Sequence, residues 1–216
     1  MRVVVSGAGG KVGKALVARI AASEEMVLSG TPGRDAVAIE GDVVIDFSSP
    51  AGTMALLDRL AGDPLPVVVG TTGLDAGQAQ RLVAEGARRP ILVAANFTPG
   101  FAAFRASLLA LAQALPQARL TLSETYNVAK SPKLSGTTLG LRADILALDP
   151  ERALDLDLRR EGDTAGITTL GLALDSARIA LTLNVDSRDA YAAGALQAAR
   201  WLIGRPPGHY TSSDML

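Results

Sequence analysis

Residues 3–17 read VVVSGAGGKVGKALV, a short β-rich run followed by a glycine-rich turn and a helical pattern. Gly7, Gly10 and Gly13 fall at the turn, where glycines allow a tight bend, close approach of a pyrophosphate and close helix–strand packing. The helix N-terminus then offers free N–H groups to a phosphate. A glycine pattern is weak evidence by itself, but this one has the strand–turn–helix context that the motif requires. The stretch therefore predicts an α/β domain that binds a dinucleotide.

Four more apolar runs of strand length follow, namely MVLSG, DVVIDFS, PVVVGTT and PILVAANF. Residues 50–61 and 75–88 lie between the later runs and have the spacing of amphipathic helices. Continuous apolar strands that alternate with helices predict a parallel sheet covered on both faces. The stretch between Gly30 and Asp42 is too short for a full crossover helix, so we expect an abbreviated crossover there.

The pattern changes after Phe97. A long apolar helix, FAAFRASLLALAQAL, precedes the alternating strands ARLTLSETY, LDLDLRR, AGITTLGLAL and ARIALTLNV, with the helix GTTLGLRADILAL after the first of them. Such a pattern predicts an α+β region with an open, mostly antiparallel sheet. The last helix, in SRDAYAAGALQAARWLIG, is expected to return to the first domain. We predict a dinucleotide-binding domain of residues 1–98 and 188–216, and a substrate-binding and oligomerisation domain of residues 99–187.

Composition narrows the classes of partner and site. The 216 residues carry a net charge of −1 without a long basic block, which argues against nucleic acid. No apolar stretch reaches the roughly 18 residues of a membrane span, and no signal peptide is visible. The absence of cysteine permits a reducing cytoplasm, which is the expected location. The one histidine, His209, is interpreted as a tail residue without chemistry, so we predict no metal site and no histidine triad.

The end of the second strand reads SGTPGRD and bears on the choice of cofactor. An acidic residue there would bind a ribose 2′-OH, whereas an arginine pairs with a 2′-phosphate. Arg34, preceded by Gly33 and helped by Lys11, favours NADPH, with NADH possible. Two alternatives stay open, because Arg34 can instead pair with Asp35 or lie solvated at the surface.

Ligands of such sheets lie at the carboxyl ends of the strands, where this chain has the loop DFSSP after the third strand and the small-residue loops GTTG and AANF after the fourth and fifth. The last two, at residues 70–72 and 94–97, are the ones expected to line the nicotinamide half of the cofactor. The predicted cofactor contacts are Gly7, Ala8, Gly9, Gly10, Lys11, Val12, Arg34, Gly70, Thr71, Thr72, Ala94, Ala95, Asn96 and Phe97.

Residues 124–137, ETYNVAKSPKLSGT, predict a second anion site. Ser135 is a good N-cap, and Gly136 and Thr137 follow in a first helical turn with little side-chain cover. Lys130 can bring a point charge to the same place. An anion site opposite a nicotinamide suggests a carboxylated substrate that accepts a hydride. An ordinary capped helix beside a surface lysine is the alternative.

Several blocks resemble the dihydrodipicolinate reductase (4-hydroxy-tetrahydrodipicolinate reductase) family. They are VSGAGGKVG, VVIDFSSP, VVGTTGL, AANFTPGF, SRDAYAAGALQAARWLIGRPPG and YTSSDML, in the family's order and over nearly the whole chain. The resemblance implies a Rossmann-like N-terminal domain and NAD(P)H-dependent reduction of a small cyclic dicarboxylate in bacterial lysine and diaminopimelate biosynthesis. It also implies a homotetramer built by the sheet of the second domain.

The family's motif E-x-H-H-x-x-K-x-D-x-P-S-G-T aligns with this chain without a gap. The matching residues are Glu124, Lys130, Ser135, Gly136 and Thr137. The departures are Tyr126 and Asn127 in place of the two histidines, Pro132 in place of the aspartate and Leu134 in place of the proline.

By the resemblance, Lys130 is the proton donor and the amides of Gly136 and Thr137 hold a substrate carboxylate. Tyr126 takes the first histidine's role only as a hypothesis, because a phenol with a pKa of about 10 donates a proton but is a poor base. Asn127 can hydrogen-bond a carboxylate without charge.

Two rivals to this reductase remain open at the level of sequence. One is a paralogue that reduces a different carboxylated imine or enamine, and the other is a catalytically weak, dinucleotide-binding regulatory protein. Both keep an intact glycine loop beside an altered substrate loop.

Overall fold

The structure is a computed structural model that describes residues 1–32, 39–129 and 134–216. The chain divides into two compact units, residues 1–99 with 188–216 and residues 100–187. These bounds lie one residue from those expected from the sequence pattern.

From β1 to α6, the strands and helices of the described residues follow each other as the apolar pattern predicts. The strands are β1 (Arg2–Ser6), β2 (Val27–Gly30), β3 (Val43–Asp46), β4 (Val67–Val69), β5 (Pro90–Val93), β6 (Arg119–Tyr126), β7 (Leu154–Arg160), β8 (Gly166–Ala173), β9 (Arg178–Val185) and β10 (Gly208–Tyr210). The helices are α1 (Lys11–Ala21), α2 (Pro50–Arg59), α3 (Ala76–Glu85), α4 (Phe101–Ala114), α5 (Gly136–Leu148) and α6 (Asp189–Leu202), with a short 3₁₀ helix at Ser212–Met215.

The first unit is a six-stranded parallel sheet in the order β10-β5-β4-β3-β1-β2. Its central strands are rich in Val and Ile and buried on both faces, as parallel sheets covered by helices require. Successive residues of β1 point to opposite sides. Val3 and Val5 join a core with α1 and α6, and Val4 joins a core with α2 and α3. The predicted doubly covered α/β sheet is confirmed.

Local chemistry fixes where the helices over this sheet begin. Ser49 caps α2 by accepting a hydrogen bond from the N–H of Gly52, and Pro50 occupies the first helical position, where its lack of an N–H does no harm. Asp75 and Gln78 form a reciprocal capping box at the start of α3. The helices α2 and α3 therefore begin shortly after the carboxyl ends of β3 and β4. The loops between each strand and its helix lie at the same edge of the sheet, where they can contact each other.

The last long helix, α6, returns to the first unit, as the sequence predicts, and packs with α1 over the same face of the sheet. Ala195 and Leu196 are buried in that core. Arg19 of α1 makes a two-pronged ion pair with Asp189 at the start of α6, with both N–O distances 2.5 Å. The return of the chain thus completes the first unit.

The interpretation of the C-terminus as a loosely held tail was wrong. His209 lies in β10 and pairs in parallel with Ile91 of β5. Strand β10 has only three residues, follows two prolines and begins at Gly208, so its sequence carries no strand pattern. Its conformation comes instead from pairing with the edge of β5. Trp201 and Tyr210 pack edge to face near it, with ring centroids 5.4 Å apart.

The abbreviated crossover falls between β2 and β3. Both strands pair with β1, one on each side, and the described part of the connection holds no helix. Residues 33–38 of that connection lie outside the described residues.

The second unit is a four-stranded mixed sheet in the order β7-β6-β8-β9. The β6–β8 and β8–β9 pairs are antiparallel and the β6–β7 pair is parallel. The parallel pair follows from the crossover through α5 that joins β6 to β7. Leu120 and Leu170 face α4 and α5 in one core, and Arg105 of α4 pairs with Asp144 of α5 at 2.6 Å. The predicted mostly antiparallel sheet is confirmed.

No helix in the described ranges is long and apolar enough to cross a membrane. Within the same residues, no three His, Asp or Glu side chains gather in a way that would hold a metal ion.

Candidate functional site

The glycine loop between β1 and α1 is too crowded for side chains. Gly7 has φ +79°, and a Cβ added to it would lie 2.4 Å from the carbonyl oxygen of Phe47. A Cβ on Gly13 would lie 2.1 Å from the carbonyl oxygen of Gly7. Both contacts are far inside van der Waals distance, so glycine is required at both positions for the turn and for the approach of α1.

The start of α1 suits a phosphate. Gly10, the N-cap, is extended at φ −73° and ψ 171°, and no side chain caps the first turn. Uncapped amides at a helix N-terminus, together with the helix dipole, form an anion site. Lys11, at the first helical position, is exposed and adds positive charge there. These residues fit the pyrophosphate of a dinucleotide.

Phe47, directly after β3, joins the glycine loop to the other strand ends. Its carbonyl backs Gly7, and its ring lies 2.3 Å from where a Cβ on Gly70 would be. The ring also meets that of Phe97 edge to face, with centroids 5.5 Å apart. The structure thus brings the predicted loops after β4 and β5 together with the glycine loop, at the carboxyl ends of the strands.

The loop after β5 is fixed from two sides. Asn96 accepts a hydrogen bond from the N–H of Thr98 at 2.8 Å, which closes a local turn. Gly194 of α6 lies so close that a Cβ would come 1.5 Å from the carbonyl oxygen of Phe97. Because Gly194 has no side chain, α6 packs directly against the backbone of this loop and holds residues 94–97 in place.

The end of β2 bears on the adenosine half. A cleft of about 150 Å³ lies there, lined by Val4, Ser29, Gly30, Thr31, Pro32, Ile39 and Glu40. Arg34, the residue predicted to choose between cofactors, lies outside the described residues.

In the second unit, the predicted substrate residues lie at the end of β6 and the start of α5. Tyr126 and Asn127 are buried, with 5% and 8% of their surfaces exposed. Ser135 is the N-cap of α5, and its Oγ accepts a hydrogen bond from the N–H of Thr138 at 3.1 Å. Gly136 and Thr137 form the first helical turn that follows. Lys130 lies outside the described residues.

Glu124 ties these two elements together. Its buried carboxylate accepts hydrogen bonds from the N–H of Ser135 at 3.0 Å, the hydroxyl of Thr138 at 2.5 Å and the Arg160 guanidinium at 3.0 Å. Burial by itself raises the pKa of Glu124, but the hydrogen bonds from Thr138, Ser135 and Arg160 outweigh it and hold that pKa below its usual value. An ionised Glu124 therefore fixes the N-terminal end of α5 against β6.

Comparison with known proteins identifies the family of this chain. The family model for the dihydrodipicolinate reductase N-terminus matches residues 33–97, and the family model for the C-terminus matches residues 100–216. The chain belongs to the dihydrodipicolinate reductase family. It is 31% identical to the 4-hydroxy-tetrahydrodipicolinate reductase of a Nitratiruptor species over all of this chain and 99% of that one. It is 37% identical to the enzyme of that name from Thermomicrobium roseum, over 81% of this chain and 75% of the other.

A solved structure of the same family shares the fold. The dipicolinate-bound dihydrodipicolinate reductase of a Paenisporosarcina species superposes with a TM-score of 0.81 over 100% of this chain and 99% of that one, at 16% sequence identity. The expected Rossmann-like domain followed by an α+β domain is thus the fold of a dihydrodipicolinate reductase.

Three polar or aromatic residues beside these predicted positions were given no role from the sequence. Asp46 and Phe47 begin the loop DFSSP, which the sequence marks as a strand-end loop, but no contact was predicted for either side chain. Arg160 lies opposite Tyr126 in the β6–β7 register, with its guanidinium 5.9 Å from the centre of the Tyr126 ring. No motif marks Arg160, because only strand pairing brings it there.

Proposed function

We propose that this protein catalyses the NAD(P)H-dependent reduction of 4-hydroxy-tetrahydrodipicolinate, or of its dehydrated form dihydrodipicolinate, to tetrahydrodipicolinate in diaminopimelate and lysine biosynthesis. One observation carries the proposal. The family match extends over both units, and the chain spans 99% of the length of the Nitratiruptor reductase.

We assign binding of the cofactor to the first unit. The N-terminus of α1 holds the pyrophosphate, and the loops at residues 70–72 and 94–97 hold the nicotinamide half. When bound, the reduced nicotinamide supplies the hydride. We assign the preference for NADPH to Arg34, with help from Lys11, because an arginine after the second strand pairs with a 2′-phosphate. NADH is the weaker alternative.

The second unit binds the substrate. The amides of Gly136 and Thr137, at the positive end of the α5 dipole, donate hydrogen bonds to a substrate carboxylate, and Asn127 adds a neutral hydrogen bond. Lys130 donates the proton that accompanies hydride transfer. Tyr126 is the second candidate for donor, because its phenol is protonated at neutral pH.

We also propose a homotetramer assembled through the sheet of the second unit, and a cytoplasmic location. The support is the family resemblance and the alternating pattern of β9, in which every second side chain is exposed. Light scattering should then give four times the 22.2 kDa mass of one chain, and a monomer mass would contradict the proposal.

The presence of Tyr126 and Asn127 favours a second candidate function. Because they replace the histidine pair of the family motif, the site suits a reductase of a different carboxylated cyclic imine. A regulatory, catalytically weak protein is the third interpretation of the same replacement.

A turnover assay separates these functions. With NADPH and the family substrate, we expect NADPH consumption that depends on substrate and is inhibited by pyridine-2,6-dicarboxylate. Turnover of only another cyclic imine would favour the paralogue, and NADPH binding without any turnover would favour the regulator. Lys130→Met is the matched variant, since it should weaken binding of pyridine-2,6-dicarboxylate and leave NADPH affinity unchanged.

A further inference from the structure

Asp46 is a buried carboxylate that the proposed function does not use. It closes β3 and has no exposed surface. Its Oδ2 accepts hydrogen bonds from the hydroxyls of Thr53 at 2.5 Å and Thr71 at 2.9 Å. Among the described residues, its Oδ1 has no hydrogen-bond partner and no cation forms an ion pair with it. Burial of a carboxyl group with one oxygen left without a hydrogen bond is unfavourable, so its presence calls for a function.

Thr71 links two strand-end loops through this carboxylate. Its hydroxyl donates to Asp46 and accepts a hydrogen bond from the backbone N–H of Ser48 at 3.1 Å. Ser48 follows β3, and Thr71 lies in the loop after β4, whose first residue, Gly70, donates its N–H to the carbonyl of Asp46 at 2.8 Å. The loop at residues 70–72 is therefore attached to β3 by both backbone and side chain.

The backbone N–H of Ser48 sets the direction of these hydrogen bonds. Because it can only donate, the Thr71 oxygen accepts from it, and the single hydroxyl proton of Thr71 is directed at Asp46. An asparagine amide could instead donate to the Thr71 oxygen and compete with Ser48. One rotamer and one proton position are thus selected for Thr71, and its side chain bridges Asp46 and the backbone of Ser48.

We propose that Asp46 is a positioning residue that acts through Thr71 to hold the loop receiving the nicotinamide half of the dinucleotide. The inference rests on the proposed cofactor site. Thr53 of α2 supplies a matched comparison, because its hydroxyl hydrogen-bonds the same carboxylate oxygen and also the carbonyl of Ser49 at 3.1 Å. Among the described residues, no hydrogen bond joins Thr53 to the loop after β4.

The test compares Thr71→Val, Thr71→Ser and Thr53→Val in the full chain by NADPH titration and thermal unfolding. Valine at either position removes one hydrogen bond to Asp46, so both valine variants should lose thermal stability. Thr71→Val should raise the Kd for NADPH roughly tenfold, the scale of one charge-assisted hydrogen bond, whereas Thr53→Val should leave it within about twofold. Thr71→Ser keeps the hydroxyl and should restore the parent Kd.

Asp46→Asn should match the Kd of Thr71→Val, and the double variant should be no worse than either single variant, because the two residues act as one unit. Equal Kd values for Thr71→Val and Thr53→Val would overturn the proposal and leave Asp46 a purely structural residue, as would a Thr71→Ser variant as weak as Thr71→Val. A parent protein that binds neither NADPH nor NADH would instead overturn the proposed function itself.

Discussion

At the residue scale, the site depends on charges and hydrogen bonds that single substitutions can isolate. Glu124, Tyr126 and Arg160 form a contiguous group at the β6–β7 pair, whereas Arg34 and Lys130 act, in the proposal, on cofactor and substrate directly. The effects of Arg34 and Lys130 can be measured by ligand binding and turnover, whereas that of Glu124 is measured through stability.

Arg34→Ala should remove most of the preference for NADPH over NADH. A charge-assisted hydrogen bond to a 2′-phosphate is worth roughly 1.5–3 kcal/mol, so the ratio of the two affinities should fall by about tenfold or more. Titration of both dinucleotides at fixed ionic strength measures the ratio, and Arg88→Ala, at an exposed arginine, controls for the lost charge. Equal affinities in the parent protein would contradict the assignment.

The pH–rate profile should lack a histidine ionisation. Because no histidine lies in the substrate loop, the free enzyme should show no pKa between about pH 5.5 and 7.5, after substrate titration is subtracted. Activity should fall at high pH as the donor loses its proton. Tyr126→Phe identifies that donor, since a loss of roughly a hundredfold assigns the proton to Tyr126 and an unchanged rate assigns it to Lys130. A parent profile with an ionisation near pH 6.5 would rule out both.

Protonation of Glu124 in acid should make the protein less stable. Its pKa is lower in the folded chain than its ordinary value of 4.5, so the stabilisation is fully present above about pH 4.5 and is lost as the pH falls through the folded-state pKa. Glu124→Gln should lower the free energy of unfolding at neutral pH by roughly 1.5–3 kcal/mol, and the gap to the parent should narrow below about pH 4.5. Denaturant titration at several pH values measures this, with the exposed Glu24→Gln as control. A gap that is independent of pH would contradict the role of the ionised carboxylate.

At the element scale, periodicity predicts most of the fold. Apolar runs and helical spacing gave β1 to β9 and all six helices of the described residues, because each buries a face that its own sequence encodes. Strand β10 was missed because its pairing partner, not its composition, orders it. The glycine loop could be predicted from spacing, but the cluster at Asp46 and the approach of Arg160 to Tyr126 depend on strand pairing.

Two helix glycines should respond in opposite ways to alanine. Gly194→Ala places a Cβ 1.5 Å from the Phe97 carbonyl oxygen, so α6 or the loop after β5 must move, and thermal stability and NADPH affinity should both fall. Gly140→Ala, in an exposed turn of α5 with open space around it, should raise the free energy of unfolding by roughly 0.5–1 kcal/mol and leave NADPH affinity unchanged. Thermal unfolding and titration measure both variants. A Gly194→Ala protein as stable as the parent would contradict the close packing of α6.

At the scale of the whole molecule, two compact units divide the work in the proposed function. In that proposal the first unit binds the dinucleotide and the second binds the substrate carboxylate, and the family match runs through both units. The sequence predicted this division because a doubly covered parallel sheet and an alternating mixed sheet have different apolar patterns. It could not predict whether Tyr126 and Asn127 keep the family reaction, since that depends on chemistry rather than on packing.

Transfer of deuterium from the cofactor to the product gives the sharpest test of the proposed reductase activity. The protein is incubated with the family substrate and NADPH that carries deuterium at the transferable position of the nicotinamide, and the product is analysed by mass spectrometry. We expect tetrahydrodipicolinate that carries one deuterium, with NADP⁺ formed in equal amount and the reaction lost in Lys130→Met. Unlabelled tetrahydrodipicolinate, or none at all from a protein that binds NADPH, would contradict the proposed activity.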